Sequence, residues 1–199
     1  MKTLIFIVSF VILSSCTKDS DKGDPTFALP PETQVGANTF GVTINGKVYV
    51  PRDPTGVNVG GATPKGLKLV GGGIAPNDYT EIVGVDGASA LGFKLIIHLQ
   101  NLFNSGTYNL KESNFQDQAD SILANHLFFK IFDTSIKNYV YYGSVANEST
   151  VNITRLSNGI VSGKFSGIFA RYGSPNERIT ITDGRFDINS FTVANHSFP

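Results

Sequence analysis

For most of its length the chain changes between apolar and polar residues at every second position, the period of a β-strand with one face buried. The clearest run is TFGVTINGKVYVP. Phe40, Val42 and Ile44 alternate with Thr39, Gly41 and Thr43, and Val48 and Val50 resume the alternation after Asn45-Gly46. Asn-Gly between two such runs predicts a two-residue hairpin, because both residues tolerate positive φ. Pro51 then ends the pairing by withholding a donor. Further strands are predicted over 67–72, 79–85, 91–99, 105–110, 126–133, 138–145, 149–156, 160–170 and 178–188. In 91–99, Phe93, Leu95, Ile97 and Leu99 share one face and Lys94 and His98 the other. In 160–170, Gly163 and Gly167 alternate with Phe165 and Phe169, which suggests rings packed over a neighbouring backbone. The phase slips in RITITDGRFDI, where Ile179 and Ile181 are odd and Phe186 and Ile188 even. One extra residue near Asp183-Gly184 restores a single apolar face, which is the effect of a β-bulge within a continuous strand; a tight Asp-Gly hairpin with Ile181 opposite Phe186 is the alternative, and the length of 160–170 favours the bulge. Residues 52–66 and the stretch RYGSPNE read as loops, and only SNFQDQADSILANH (113–126) carries helical spacing, with Ser113 as its cap.

About nine or ten strands with at most one short helix predict an all-β, antiparallel, two-sheet β-sandwich, with a partly open barrel as the alternative. A single β domain is expected over 38–199.

The first residues follow a different pattern. Met1-Lys2-Thr3 precedes LIFIVSFVIL, an apolar run about half the roughly 20 residues that a spanning helix needs. A basic start, a short apolar run and then small residues make a secretory signal peptide over 1–15. Leu13-Ser14-Ser15-Cys16 resembles the lipobox of bacterial lipoproteins, in which the cysteine is acylated and becomes the new N-terminus. Cys16 is the chain's one cysteine, so no internal disulfide competes for it. Each buried methylene adds about 0.8 kcal/mol and stable attachment takes more than one chain, so two or three acyl groups hold firmly. The charged, Pro- and Gly-containing residues that follow are expected to form a flexible spacer, 16–37 including the lipidated cysteine. Within it, Lys18-Asp19 and Asp21 resemble the export signal that sends some Bacteroidota lipoproteins to the cell surface, and a solvated linker reads equally well. Periplasm-facing and outward-facing placements at the outer membrane both stay open.

Charge removes one class of partner. The chain has 16 basic and 16 acidic residues, and loss of Lys2 with the leader leaves the mature protein near −1. Such a balance offers no field for nucleic acid.

A family resemblance rests on LPPETQVGANTF (29–40), SGTYNL, VNITRLSNGIVSGKFSGIFA and ITITDGRFDI. Together these resemble a group of Bacteroidota lipoproteins defined by a domain of unknown function, sharing an L-P-P-x-T-x-x-G-x-N-T-F opening and an I-T-x-G-x-F-D end. The resemblance implies the compartment and a β fold; its motifs are turns and core positions, and it brings no catalytic residues.

Candidate chemistry is sparse. His98, His126 and His196 lack the close pairing of zinc ligands, so no metal is assigned. The clusters Gly60-Gly61 and Gly71-Gly72-Gly73 lack the Lys-Ser/Thr and following helix of a phosphate loop and read as turns and bulges. Asp117 with Asp120, and Asp183 with Asp187, read as solvated carboxylates rather than a glycosidase pair. The oxygen-rich turns NDYTE (77–81) and TDGRFD (182–187) are the weak calcium candidates, and Asp120-Ser121-Ile122 resembles a Bacteroidota O-glycosylation site. In NYVYYGSV, Tyr139 and Tyr141 fall on one face and Tyr142 on the other, and exposed tyrosines on a sheet stack on sugar rings. The expectation is therefore a lipid-anchored, non-enzymatic envelope domain, without cofactor, that binds a glycan, peptide or partner protein. A passive scaffolding lipoprotein is the alternative, and a carboxylate-dependent hydrolase stands behind both.

Overall fold

The structure is a computed structural model that describes residues 27–56, 64–73, 77–116 and 124–199. Cys16, the leader, most of the spacer, the glycosylation-like triplet, Asp117 and Asp120 lie outside the described residues. The described residues form ten strands: β1 (Thr39–Ile44), β2 (Lys47–Tyr49), β3 (Leu67–Gly72), β4 (Tyr79–Val85), β5 (Lys94–Gln100), β6 (Gly106–Asn109), β7 (His126–Asp133), β8 (Asn138–Ser157), β9 (Ile160–Arg171) and β10 (Ser174–Asn189). A 3-10 turn, Val193–Asn195, follows. Every ladder between the strands is antiparallel. Among the described residues, no helix is long and apolar enough to cross a membrane.

Hydrogen bonding runs through one path, β2-β1-β10-β9-β8-β7-β5-β4-β3, with β6 on β8. The path makes two layers because β8, β9 and β10 are long and each is shared between them. Their one set of halves pairs with β1 and β6: Ser149–Ser157 of β8, Ile160–Gly167 of β9 and Ile181–Asn189 of β10. The other halves join β7, which leads on to β5, β4 and β3. The corner is built where register breaks, between Ser144 and Ser149 of β8 and between Ile181 and Gly184 of β10. Asn147 (φ 64°) and Gly167 (φ 142°) take left-handed backbone there. Bulged strands that pass from one layer to the other are how sandwich corners are made. The sandwich expectation is met, and the sheet does not close into a barrel.

Local signals explain most of the rest. Asn45 (φ 48°) and Gly46 (φ 79°) form the two-residue hairpin, with Ile44 opposite Lys47. The bulge near Asp183 is present inside a continuous β10, with Thr43 opposite Asp183 and Ile44 opposite Ile181. The Phe–Gly alternation becomes two reciprocal cross-strand pairs, Phe186 opposite Gly163 and Phe165 opposite Gly184. A β-carbon on Gly163 would lie 2.7 Å from the Phe186 ring, and one on Gly184 2.4 Å from the Phe165 ring. Within the first layer the Phe40 and Phe165 rings stand 5.7 Å apart, and between the layers Tyr49 meets Phe93 at 5.3 Å. Leu95, Ile97 and Leu99 of β5 and Leu127 and Phe129 of β7 complete the core.

Five expectations need correcting. The strands expected at 138–145 and 149–156 are one strand bent at the corner. RYGSPNE is a turn only at Tyr172-Gly173, since β10 starts at Ser174. Gly71 and Gly72 lie within β3, opposite Thr80 and Tyr79, as the strand expected over 67–72 has them and not in the turn or bulge read from the glycine cluster. The described start of the expected helix, 113–116, is not helical: Phe115 has φ 59°, and its ring fills the space over Gly143. Finally, residues 27–37, expected in the spacer, lie on the domain. Asp187, 1% exposed, accepts hydrogen bonds from Thr33 Oγ1 (2.6 Å), Val35 N (3.0 Å), Gly36 N (2.9 Å) and Ala37 N (3.1 Å), and from Ser162 Oγ (2.6 Å). Burial works to raise the Asp187 pKa, and these donors outweigh it and lower it. Asn38 continues the attachment by accepting from Asn189 N and donating to Thr192. The motif residues Thr33, Gly36, Asn38 and Asp187 are thus partners in one structural clasp.

Candidate functional site

The three tyrosines of β8 divide as the alternation predicts, and their surroundings give them different roles. Tyr142 points inward, stacks on Phe129 at 5.5 Å and packs against the core. Burial raises its phenol pKa, with Arg171 opposing. Tyr139 and Tyr141 point outward from the second layer. Tyr139 is half-buried: its ring meets Phe132 at 5.5 Å, the Lys130 ammonium stands 4.7 Å over it, and its hydroxyl donates to the Ala90 carbonyl at 2.9 Å. Tyr141 is 40% exposed and stands directly opposite Lys130, which stands opposite Lys94 of β5. The Tyr141 carbonyl accepts from Tyr172 N at 2.9 Å. That hydrogen bond sets Tyr172, 67% exposed, beside it at the β9–β10 turn. The Tyr172 ring rests on Phe115 at 5.0 Å. One face therefore carries a cross-strand row of Lys94, Lys130 and Tyr141, extended by Tyr172 and backed by Tyr139 and Phe132.

The other end of this face is closed. The sequence places His98 on a polar face, yet it is fully buried, and it stands directly opposite His126. Their ring centroids are 5.6 Å apart. His98 Nδ1 meets Glu81 Oε1 at 2.9 Å, the Gln100 amide meets His98 Nε2 at 3.1 Å, and Tyr79 stacks on the ring at 5.3 Å. His126 Nδ1 meets Ser113 Oγ at 3.3 Å, and its buried Nε2 has no hydrogen-bond partner among the described residues. Burial lowers the His126 pKa to about 4, with His98 adding to the effect. This cluster is not a nucleophilic triad. A triad needs the carboxylate and the hydroxyl on the same imidazole, whereas Glu81 and Ser113 engage different histidines. Ser113 Oγ also accepts from Phe115 N and is buried. The signal for the pair was a single polar residue inside each of two apolar strands, LIIHLQ and HLFFK; the pairing itself is a matter of register.

The remaining candidates are dispersed. His196 lies in the tail against Phe198, with its carbonyl accepting from Lys65. In TDGRFD the carboxylate of Asp187 is saturated by donors and Asp183 meets Arg185, and in NDYTE Glu81 lies within β4 and is turned to His98. No group of three or more His, Cys, Asp or Glu able to hold a metal ion occurs among the described residues. Among the described residues, the carboxyls whose pKa is displaced, Glu32, Asp53, Asp133 and Asp187, all move down. A glycosidase acid requires the opposite. On the first layer's outer face a groove of about 230 Å3 runs between Glu32, Asn152, Lys164 and Arg185. Its charges neutralise one another, Glu32 with Lys164, and Arg185 with both Glu32 and Asp183.

No protein-family model, curated protein or solved structure matches the chain.

Proposed function

We propose that this is a lipid-anchored, non-enzymatic binding domain of the bacterial outer envelope, of the Bacteroidota lipoprotein kind its motifs resemble. Acyl chains on Cys16 hold it to the membrane, and it takes a glycan on the outer face of the second layer. The observation that carries the ligand reading is the pair Tyr141 and Tyr172, two exposed tyrosines on β8 and the β9–β10 turn whose backbones are joined by a hydrogen bond. A sugar presents apolar C–H faces and polar edges. An aromatic ring with a rigid, two-torsion side chain meets the first at small entropic cost, and neighbouring hydroxyl and ammonium groups meet the second.

Two measurements test this. Binding of the purified protein to a glycan array is expected, and to be lost in Tyr141→Ala/Tyr172→Ala without a change in the unfolding midpoint. Unaltered binding by the variant, or no binding by either protein, would remove the surface from consideration. For the anchor, Cys16→Ala is expected to release the protein from the membrane fraction and to abolish incorporation of labelled palmitate. A variant that stays membrane-bound and labelled would end the lipoprotein reading.

A further inference from the structure

We infer that the end of the molecule formed by the β8–β9 turn, Val35 and Phe191 is a membrane-contact surface that enters the headgroup region of the bilayer; this rests on the lipid-anchor reading above. β8 and β9 are joined through Asn158 (φ 52°) and Gly159 (φ 73°), with Ser157 opposite Ile160. The chain leaving β10 folds onto this turn, where Ser190 N donates to the Gly159 carbonyl at 2.8 Å. The Phe191 ring lies over Gly159, so that a β-carbon there would stand 2.3 Å from it. From the N-terminal side comes Gly36, held by its hydrogen bond to Asp187. It packs on Asn189 and Ile160, which would stand 2.8 and 3.1 Å from a β-carbon on it. Its neighbour Val35 is thereby brought to the same end. Phe191 is 75% exposed and Val35 70%, while Ile160 is buried. Single apolar residues at a surface are ordinary. Here two stand at one end, and the segments that meet there, 34–36, 157–160 and 189–192, contain no charged residue. Arg155 stands at the rim, its guanidinium donating to the Gln34 carbonyl and to Ser157 Oγ. An apolar tip with a basic group beside it matches the boundary between acyl chains and headgroup phosphates.

The tether argues for this occupant. Phe27, where the described chain starts, lies eleven positions after Cys16, a span of at most about 40 Å of extended chain. The bilayer is thus held near the domain at high effective concentration, and a contact too weak to attach a free protein is enough to orient a tethered one. β8 and β9 run away from the tip, with Tyr141 near the start of β8 and Tyr172 just past the end of β9. A tip seated in the headgroups therefore leaves the proposed glycan surface at the ends of these strands remote from the membrane.

The native chain contains no tryptophan, so a single introduced indole reports on its own surroundings. The experiment places the acylated full chain on vesicles of neutral lipid, with and without bromine on the acyl chains, and compares three variants. Phe191→Trp and Val35→Trp probe the tip, and Ile136→Trp probes an exposed position in the β7–β8 turn, before the start of β8. The soluble Cys16→Ala form of each variant gives its emission in water. Both tip variants are expected to shift to shorter wavelength on the vesicles and to lose emission to the brominated lipid, and Ile136→Trp to do neither. Vesicle-bound protein whose tip emission is quenched no more than that of Ile136→Trp would overturn the inference and leave the anchor standing. Acylation-competent protein that does not float with the vesicles would overturn both. Shifted tip emission in the soluble form, at the mass of a dimer, would overturn the inference by assigning the tip to a second copy of the chain.

Discussion

His126 faces His98 across two neighbouring strands, with Phe128 and Ser113 around it and one ring nitrogen without a hydrogen-bond partner among the described residues. Charging it requires a buried cation beside a second imidazole. Its pKa falls from 6.5 in the unfolded chain to about 4 in the fold. Between those values the unfolded state binds the extra proton, so stability is intact above pH 6.5 and falls as pH drops toward 4. The full loss is roughly 3 kcal/mol. Asp187 behaves separately: its pKa lies below 3.8, so the stability it confers is lost only at still lower pH. His126→Leu cannot titrate, and its denaturant midpoint is expected to be nearly flat from pH 7 to 4.5 while that of the native protein declines. Parallel pH profiles for the two proteins would show that His126 does not carry the acid response. The same scale explains why the tyrosines of β8 were only partly legible. Alternation assigns Tyr139 and Tyr141 to one face, but the Ala90 carbonyl and Phe132, from elsewhere in the chain, decide that Tyr139 supports and Tyr141 is open.

Strands β9 and β10 hold each other through the two Phe–Gly pairs. In each pair the ring lies over the glycine opposite, and the bulge keeps Phe165 and Phe186 on the same side of the sheet as Ile181 and Ile188. A side chain on either glycine must push a core ring aside. Gly184→Ala is expected to cost about 1–3 kcal/mol by overpacking, measured as a lower denaturant midpoint. Gly71→Ala is the control: its β-carbon would meet only the Tyr79 carbonyl, at 3.8 Å, on an exposed stretch of β3. Its effect should stay within about 0.5 kcal/mol. If both substitutions prove neutral, the rings do not need the glycines. The alternating Gly and Phe of GKFSGIF were readable as a steric device because spacing along a strand is local. The partner of each ring was not readable, because it depends on a one-residue bulge in another strand.

Across the whole molecule, one buried carboxylate ties the N-terminal segment to the sheet. Asp187 gathers donors from Thr33, Val35, Gly36 and Ala37 on one side and Ser162 on the other, joining residues about 150 apart in the chain. Asp53 does the same for the C-terminus, accepting from Gly66 N, Lys65 and Phe198 N. Both clasps use carboxylates that composition alone assigns to solvent. In the proposed placement, a tether at Cys16 would transmit its pull to the domain through the first clasp rather than through a loose joint at residue 38.

The sequence by itself determined which segments are strands, the turn at Asn45-Gly46 and the bulge of β10. Those features follow from two-residue alternation and from residues that tolerate positive φ, both properties of a few neighbouring positions. Only the tertiary structure decided which outer faces are covered. Asp187 looks like a solvent-facing position in its own strand and becomes buried when residues 33–37 close over it, and His98 and Glu81 are buried against each other across β5 and β4. Burial of a polar group depends on what lies above it, and a strand's own pattern carries no information about that neighbour.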